Sequence, residues 1–335
     1  MIKTDLSELK DFKIGQAEDK EAMTGVTVII SEEGAVTGVD VRGGSPGTRD
    51  TDALDPKANR EFVHAVVLAG GSAFGMDACS GVMEVLERNG IGRPVRFTVV
   101  PNVCAAVLFD FGLGSYKVRP DKEMGIKCCE TALRDPNYRS GNYGAGTGAT
   151  LGKRNGIDHA MKGGIGCSVL KQGELVVGAV MAVNCVGDVR KDGKTIAGTR
   201  DDSGKGFLDP EELIVQSYDV VKDYFRDGPN AGNKEEDQDD SGNTVIGCIM
   251  TNAILNKAQA NKLASHGHNG LARAIYPAHT VTDGDTIFAM ASGKVRASFD
   301  AVAIMAARAC QEAIVDAVMS ADSVEGLPAA KDIKG

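Results

Sequence analysis

Apolar positions along the chain fall into short, separated runs, mostly of strand length. Val26–Ile30 and Val36–Val41 flank Glu32-Glu33-Gly34, which predicts a β-hairpin over residues 24–42. A glycine-rich loop, Arg42–Arg49, follows. His64–Ala69 reads as a buried strand, and Gly70-Gly71-Ser72 opens an apolar helix to about Glu87. Val99–Phe109 is strand-like with a break at Pro101-Asn102. Cys167–Leu170 and Glu174–Asn184 predict a hairpin around Gln172-Gly173. Thr244–Thr251 and Asp285–Ala291 read as further buried strands. Helical patterns cover Lys257–Ile275 and Ala297–Ala321, the latter so rich in Ala that it is expected to pack on all sides. Asp209-Pro210, an N-cap followed by a first-turn proline, starts a helix expected to reach about Phe225.

Two segments lack such patterning. Residues 141–152 carry glycines at 141, 144, 146, 148 and 152, leaving little room for regular structure. Residues 226–243 contain no hydrophobe larger than Ala and end in an acidic run. A segment of that composition buries too little surface to offset its ordering entropy, so a mobile acidic linker is expected. It stops at Asn243, and a buried-strand pattern begins at the next residue, Thr244.

Composition narrows the function classes. At 335 residues and 42% hydrophobic content, the chain can bury a sizeable core. A net charge of -9 argues against nucleic acid or anionic membrane as partners. No apolar run is long enough for a transmembrane helix. The eight cysteines form no CxxC pair and sit mostly in apolar surroundings, which fits a reducing, cytoplasmic setting. His266 and His268, two apart on a helix, diverge and make a poor metal pair; no metal or organic cofactor is expected.

The junction at Asn243–Thr244 admits two readings. The ordinary one is a polar surface loop before a strand. The chemical one is cleavage of that bond by the Thr hydroxyl, giving an ester that hydrolyses to free a new N-terminus. An α-amine has a pKa of about 7.7–8.0, so it can act as general base for its own hydroxyl at neutral pH.

Five segments bear on this choice: Val39–Arg49, Leu68–Gly75, Gly144–Lys153, Gly242–Gly247 and His279–Thr286. Together and in this order, over roughly residues 22–320, they resemble the P1 (DmpA-like, formerly S58) aminopeptidases, a family that includes the nylon-oligomer hydrolases. The resemblance implies an α/β fold: a four-layer αββα sandwich of the DmpA and ornithine-acetyltransferase type, akin to N-terminal-nucleophile hydrolases, in one domain spanning 1–335. It implies self-cleavage into 1–243 and 244–335, with Thr244 as nucleophile. It makes the protein an amidohydrolase or aminopeptidase acting on small peptides or oligoamides. A homotetramer is the expected assembly.

Site roles carried over by the resemblance are Asp285 holding the new α-ammonium and Asp283 orienting hydroxyl or amine. In an extended strand, residues two apart point to the same face, so both can approach Thr244. Lys153 would favour the unprotonated amine and stabilise negative charge, and Asn184 would donate to the oxyanion. Gly70 or Gly71 would add a backbone N–H, and Phe109 would line the pocket.

Two departures from the aminopeptidase members stand out. Where those carry an acid and, two residues later, a Tyr, this chain has Val107 and Phe109. The nucleophile is Thr rather than Ser, as in the nylon-oligomer hydrolases. Both lean toward an amidase without a free-amine anchor. There are three rival readings. Gly148–Arg154 superficially resembles a P-loop, but it is one residue short between glycines and has Arg154 where Ser or Thr should hold Mg²⁺. The others are an acyltransferase of the ornithine acetyltransferase type and an uncleaved, non-catalytic homologue.

Overall fold

The structure, a computed structural model, describes residues 1–218, 242–324 and 326–333. Ten strands make the main sheet: β1 (Ile2–Thr4), β2 (Lys13–Asp19), β3 (Thr24–Val41), β4 (Thr48–Arg49), β5 (Phe62–Ala69), β6 (Val103–Val107), β7 (Gly164–Gln172), β8 (Leu175–Asn184), β9 (Thr244–Ala253) and β10 (Thr286–Val295). The helices are α1 (Ala78–Arg88), α2 (Lys122–Arg134), α3 (Pro210–Gln216), α4 (Lys257–Ala274) and α5 (Phe299–Met319). The strand order is β1-β7-β8-β9-β10-β3-β5-β6-β4, with β2 also paired to β3. The β9/β10 and β5/β6 pairs are parallel; the rest are antiparallel.

The sheet folds over on itself at β3. Residues 24–30 of β3 pair with β2 and β5, whereas residues 36–41 pair with β10. The register slips between Ile30 and Ala35, where Gly34 takes a left-handed φ of 79°. Glu32-Glu33-Gly34 is therefore a kink inside one 18-residue strand and not the turn of the expected hairpin. Each half of β3 finds its partners elsewhere in the chain, and that tertiary pairing outweighs the local turn signal.

Folding the sheet over yields three cores between four layers. Ile29, Val66, Leu68 and Ala106 meet Val180, Ala182, Ile246 and Phe288 between the two halves of the sheet. Helices α4 and α5 cover one outer face through residues such as Leu263, Ala306 and Ile314. Helices α1 and α2 cover the other through Val82, Leu86 and Cys129. This is the αββα sandwich. Each fully buried Val, Leu or Ile contributes about 1.5–3 kcal/mol, and β8 is buried along its whole length.

Several elements differ from the periodicity reading. The helix after Gly70 begins later: Ser72, at a φ of 52°, starts a 3-10 segment through Asp77, and α1 begins at Ala78. Helix α3 ends at Gln216; Phe225 and the expected linker, apart from Gly242 and Asn243, lie outside the described residues. Helix α5 is not packed all round, since Ala301, Ile304, Arg308 and Met319 are exposed. The hydrophobic pattern does not announce strand β2 or helix α2, because their sequences mix polar residues and glycine with too few hydrophobes to show a period. All eight cysteines are free. No helix among the described residues is long and apolar enough to cross a membrane.

Two buried polar clamps shape the loops near the end of β8. Lys162 is fully buried, and its Nζ donates to the carbonyls of Gly146, Ala149 and Gly163 at 3.0, 2.8 and 3.0 Å. Asp188 accepts from the Thr199 N–H at 2.8 Å and its hydroxyl at 3.1 Å, while its Oδ2 is buried without a partner. Burial pushes the Asp188 carboxyl up to about 7. The folded protein thus holds a proton that the unfolded chain releases near pH 4, so this group costs stability as pH rises from about 4 to about 7. Asp188→Asn should raise stability at pH 8 by about 1–3 kcal/mol and change it little at pH 4. Urea unfolding at the two pH values checks this.

Candidate active site

The open ends of β8 and β9 organise the site. Asn184 and Thr244 are the terminal pair of the antiparallel ladder between them. Both side chains lie on the face shared with Ala182 and Ile246, at the edge of the core between the two sheet halves. Thr244 is 3% exposed and Asn184 fully buried.

In the intact chain the Thr244 hydroxyl lies against the carbonyl oxygen of Asn243. The hydroxyl oxygen also accepts from the Gly284 N–H at 3.2 Å. The donors expected at the oxyanion hold a carbonyl one residue further upstream. Lys153 Nζ donates to the Gly242 oxygen at 2.9 Å, and Asn184 Nδ2 donates to it at 3.2 Å. These two side chains are joined, with Lys153 Nζ donating to Asn184 Oδ1 at 3.1 Å. Thr150 N–H fixes the same Oδ1 at 2.9 Å, which orients the Asn184 amide with its nitrogen toward Gly242.

A sharp turn delivers Lys153. Gly152 takes a φ of 65°, and a Cβ there would lie 2.2 Å from the Gly198 carbonyl carbon. Only glycine allows the chain to pass this close to the segment that Asp188 holds in place.

Asp283 and Asp285 lie in the turn before β10, not in the strand, which starts at Thr286. Asp285 Oδ1 accepts from the Val245 N–H at 2.8 Å, directly beside Thr244. Its Oδ2 accepts from the His279 N–H at 3.1 Å and faces His279 Nδ1 at 2.8 Å. Asp283 Oδ1 accepts from Val186 N–H at 3.4 Å, and its Oδ2 accepts from the N–H and hydroxyl of Thr280. Burial, and then the neighbouring Asp285, push the Asp283 carboxyl up to about 7.

Gly70 and Gly71 do not offer the expected amide. The Gly70 N–H goes to Gly25 O at 2.9 Å, and the Gly71 N–H to Asp110 Oδ1 at 2.7 Å. Asp110 is buried and also accepts from the Thr24 hydroxyl at 2.7 Å, so it acts as a structural anchor for that turn. Phe109 packs on Gly242: a Cβ there would be 2.1 Å from the Phe109 ring. Its carbonyl accepts from Asn184 Nδ2 at 2.7 Å. Of the pair expected to lack metal, His268 Nε2 donates to Asp40 O at 2.9 Å, and His266 makes an edge contact with Phe299.

Residues 4–331 match peptidase family S58. The chain belongs to that family. It is 37% identical over 331 residues to an uncharacterized aminopeptidase of Mycobacterium leprae, covering 91% of this chain and 84% of that one. It is 31% identical over 288 residues to a 6-aminohexanoate-oligomer endohydrolase of Paenarthrobacter ureafaciens, covering 84% of this chain and 73% of the other. Among solved structures, the L-aminopeptidase D-Ala-esterase/amidase of Ochrobactrum anthropi superposes with a TM-score of 0.60 at 19% identity, covering 93% of this chain and 84% of that one. That protein is described as a variant of the Ntn hydrolase fold, the fold class expected here. As a member of family S58, the protein is an enzyme, a hydrolase of amide bonds.

Sequence reasoning gave His279 no role, although it heads the last of the five segments. Its contact to Asp285 depends on a left-handed backbone at φ 59°, which no local pattern announces. His279→Asn keeps a donor at the same reach and tolerates that backbone; His279→Ala does neither. Hydrolysis of an aminoacyl p-nitroanilide should stay within about threefold of wild type in His279→Asn and fall at least about tenfold in His279→Ala, the effect of losing a charge-assisted hydrogen bond.

Proposed function

We propose that this family S58 protein is a self-processing N-terminal-threonine amidohydrolase that cuts small peptides or oligoamides through an acyl-enzyme on Thr244. The observation that carries the reading is the buried Thr244 hydroxyl against the carbonyl of the bond that precedes it, at the first residue of an interior strand.

Self-processing begins when Thr244 Oγ attacks the Asn243 carbonyl carbon. The C–N bond breaks, the amine takes the proton, and an ester links Asn243 to Thr244. Water then hydrolyses the ester into chains 1–243 and 244–335. Gly284 N–H supports the attacking oxygen through its hydrogen bond.

The freed α-amine then serves as base. It accepts the Oγ proton as Oγ attacks a substrate carbonyl, and it passes that proton to the leaving amine as the acyl-enzyme forms. Water attacks the ester by the reverse sequence. Departure of Gly242 uncovers Asn184 Nδ2 and Lys153 Nζ, two donors already aimed at a carbonyl oxygen, to receive the oxyanion. Asp285, bound to the neighbouring Val245 N–H, holds the ammonium form. By family resemblance, the enzyme is expected to work as a cytoplasmic homotetramer. The oligomer endohydrolase relative is consistent with an oligoamide substrate.

Purified protein should resolve into fragments 1–243 and 244–335, the second beginning Thr-Val-Ile-Gly-Cys. Thr244→Ala should stay full length and inactive, while Thr244→Ser should still cleave. Intact mass and N-terminal sequencing check this; a cut elsewhere, or none after days at neutral pH, overturns it.

On matured enzyme, the acid limb of the rate profile should lie near neutral and belong to the Thr244 amine coupled to the charges around it. Asp285 favours the ammonium, so Asp285→Asn should shift that limb to lower pH. Lys153 disfavours it, so Lys153→Met should shift the limb higher and depress the maximal rate.

Val107 and Phe109 provide no acid to pair with a substrate ammonium, and Asp110 is committed to Gly71 and Thr24. N-blocked amides should therefore be cut within about tenfold of unblocked ones, a difference of about 1.4 kcal/mol. A strict need for a free amine, read from kcat/KM on the two series, refutes this.

A further inference from the structure

An aromatic path leads from the scissile segment to the surface. Phe109 packs on Gly242. The Phe109 and Phe111 rings are 4.6 Å apart. The Arg119 guanidinium carbon lies 5.4 Å from the Phe111 ring centre and 3.8 Å from that of Phe74, which is 58% exposed.

Arg119 uses only part of its hydrogen-bonding capacity. Nε donates to Tyr116 O at 2.8 Å, and among the described residues no carboxylate pairs with its Nη groups. A guanidinium seated over aromatic rings can still offer N–H groups to a ligand, and a carboxylate matches them in bidentate geometry.

The direction of the path identifies the part of the substrate that it meets. In self-cleavage the acyl side of the broken bond is Asn243 and the residues before it, and Gly242 is the one that touches Phe109. A substrate's acyl group follows the same line away from Thr244.

We propose that Arg119 is a specificity-determining residue for the acyl side of the substrate: Phe109 and Phe111 pack along an extended apolar acyl chain, and Arg119 pairs with a carboxylate at its far end. The preferred substrates are then ω-carboxyacyl amides, in contrast to the ω- or α-aminoacyl amides taken by an aminopeptidase. This inference rests on the reading of Thr244 as nucleophile.

The test uses matured enzyme and three series of p-nitroanilides of increasing acyl length: ω-carboxyacyl, ω-aminoacyl, and neutral unsubstituted acyl. At the best-fitting length, kcat/KM for the carboxyacyl compound should exceed that for the aminoacyl compound by roughly tenfold or more, the scale of one charge-assisted pair. Arg119→Gln should bring the ratio of carboxyacyl to neutral kcat/KM down to about one, and Arg119→Lys, which keeps charge but loses the planar edge, should give an intermediate ratio. Cleavage of both variants into the two expected chains shows that they have folded. No preference at any length, or a preference that survives in Arg119→Gln, overturns the proposal while leaving Thr244 chemistry intact. Neutral compounds that wild type does not cut, or that Thr244→Ala cuts equally well, overturn the reading of Thr244 and this inference with it.

Discussion

The N-terminal end of β9 is the constraint on which the rest of the structure depends. The strand lies inside the sheet between β8 and β10, so its first residue is fixed by ladder hydrogen bonds and by packing on both faces. A hydroxyl there cannot wander, and its preceding carbonyl is held in the same rigid frame. Preorganisation of this kind is how a protein favours one intramolecular reaction, because the entropy of bringing the groups together has been met by folding.

Everything around that end arrives from a different part of the chain. Asn184 comes by ladder pairing, Lys153 by a glycine turn, and Asp283 and Asp285 by the turn into the parallel neighbour of β9. The clamps at Lys162 and Asp188 brace the segments beside the glycine turn that carries Lys153. Burial, and then the neighbouring Asp285, push the Asp283 carboxyl up to about 7, against the opposing pull of the Lys153 ammonium.

The site also shows how one architecture can be turned toward different substrates. Thr244 is embedded in the sheet, whereas Phe109, Phe111 and Arg119 belong to the segment after β6. On the proposed reading, changes in that segment would alter which substrates are accepted without disturbing the ladder that holds Thr244.

Much of this was legible in the amino-acid sequence. The strands of β5, β8, β9 and β10 and the helices α4 and α5 follow from periodicity, because each pattern is local to one element. The family membership followed from five ordered segments, and the abrupt change of character at Thr244 drew attention to that residue. Tertiary structure alone decided that residues 24–41 form one kinked strand, that Asp283 and Asp285 precede β10, that His279 meets Asp285, and that Lys153 and Asn184 hold the Gly242 carbonyl. It also decided that Gly70 and Gly71 use their amides on Gly25 and Asp110, and that Arg119 lies over the Phe74 ring and near Phe111. Each of these is a contact or backbone state set by packing between separate segments. A pattern read along the chain records which face of an element is buried, but not which distant groups that burial brings together.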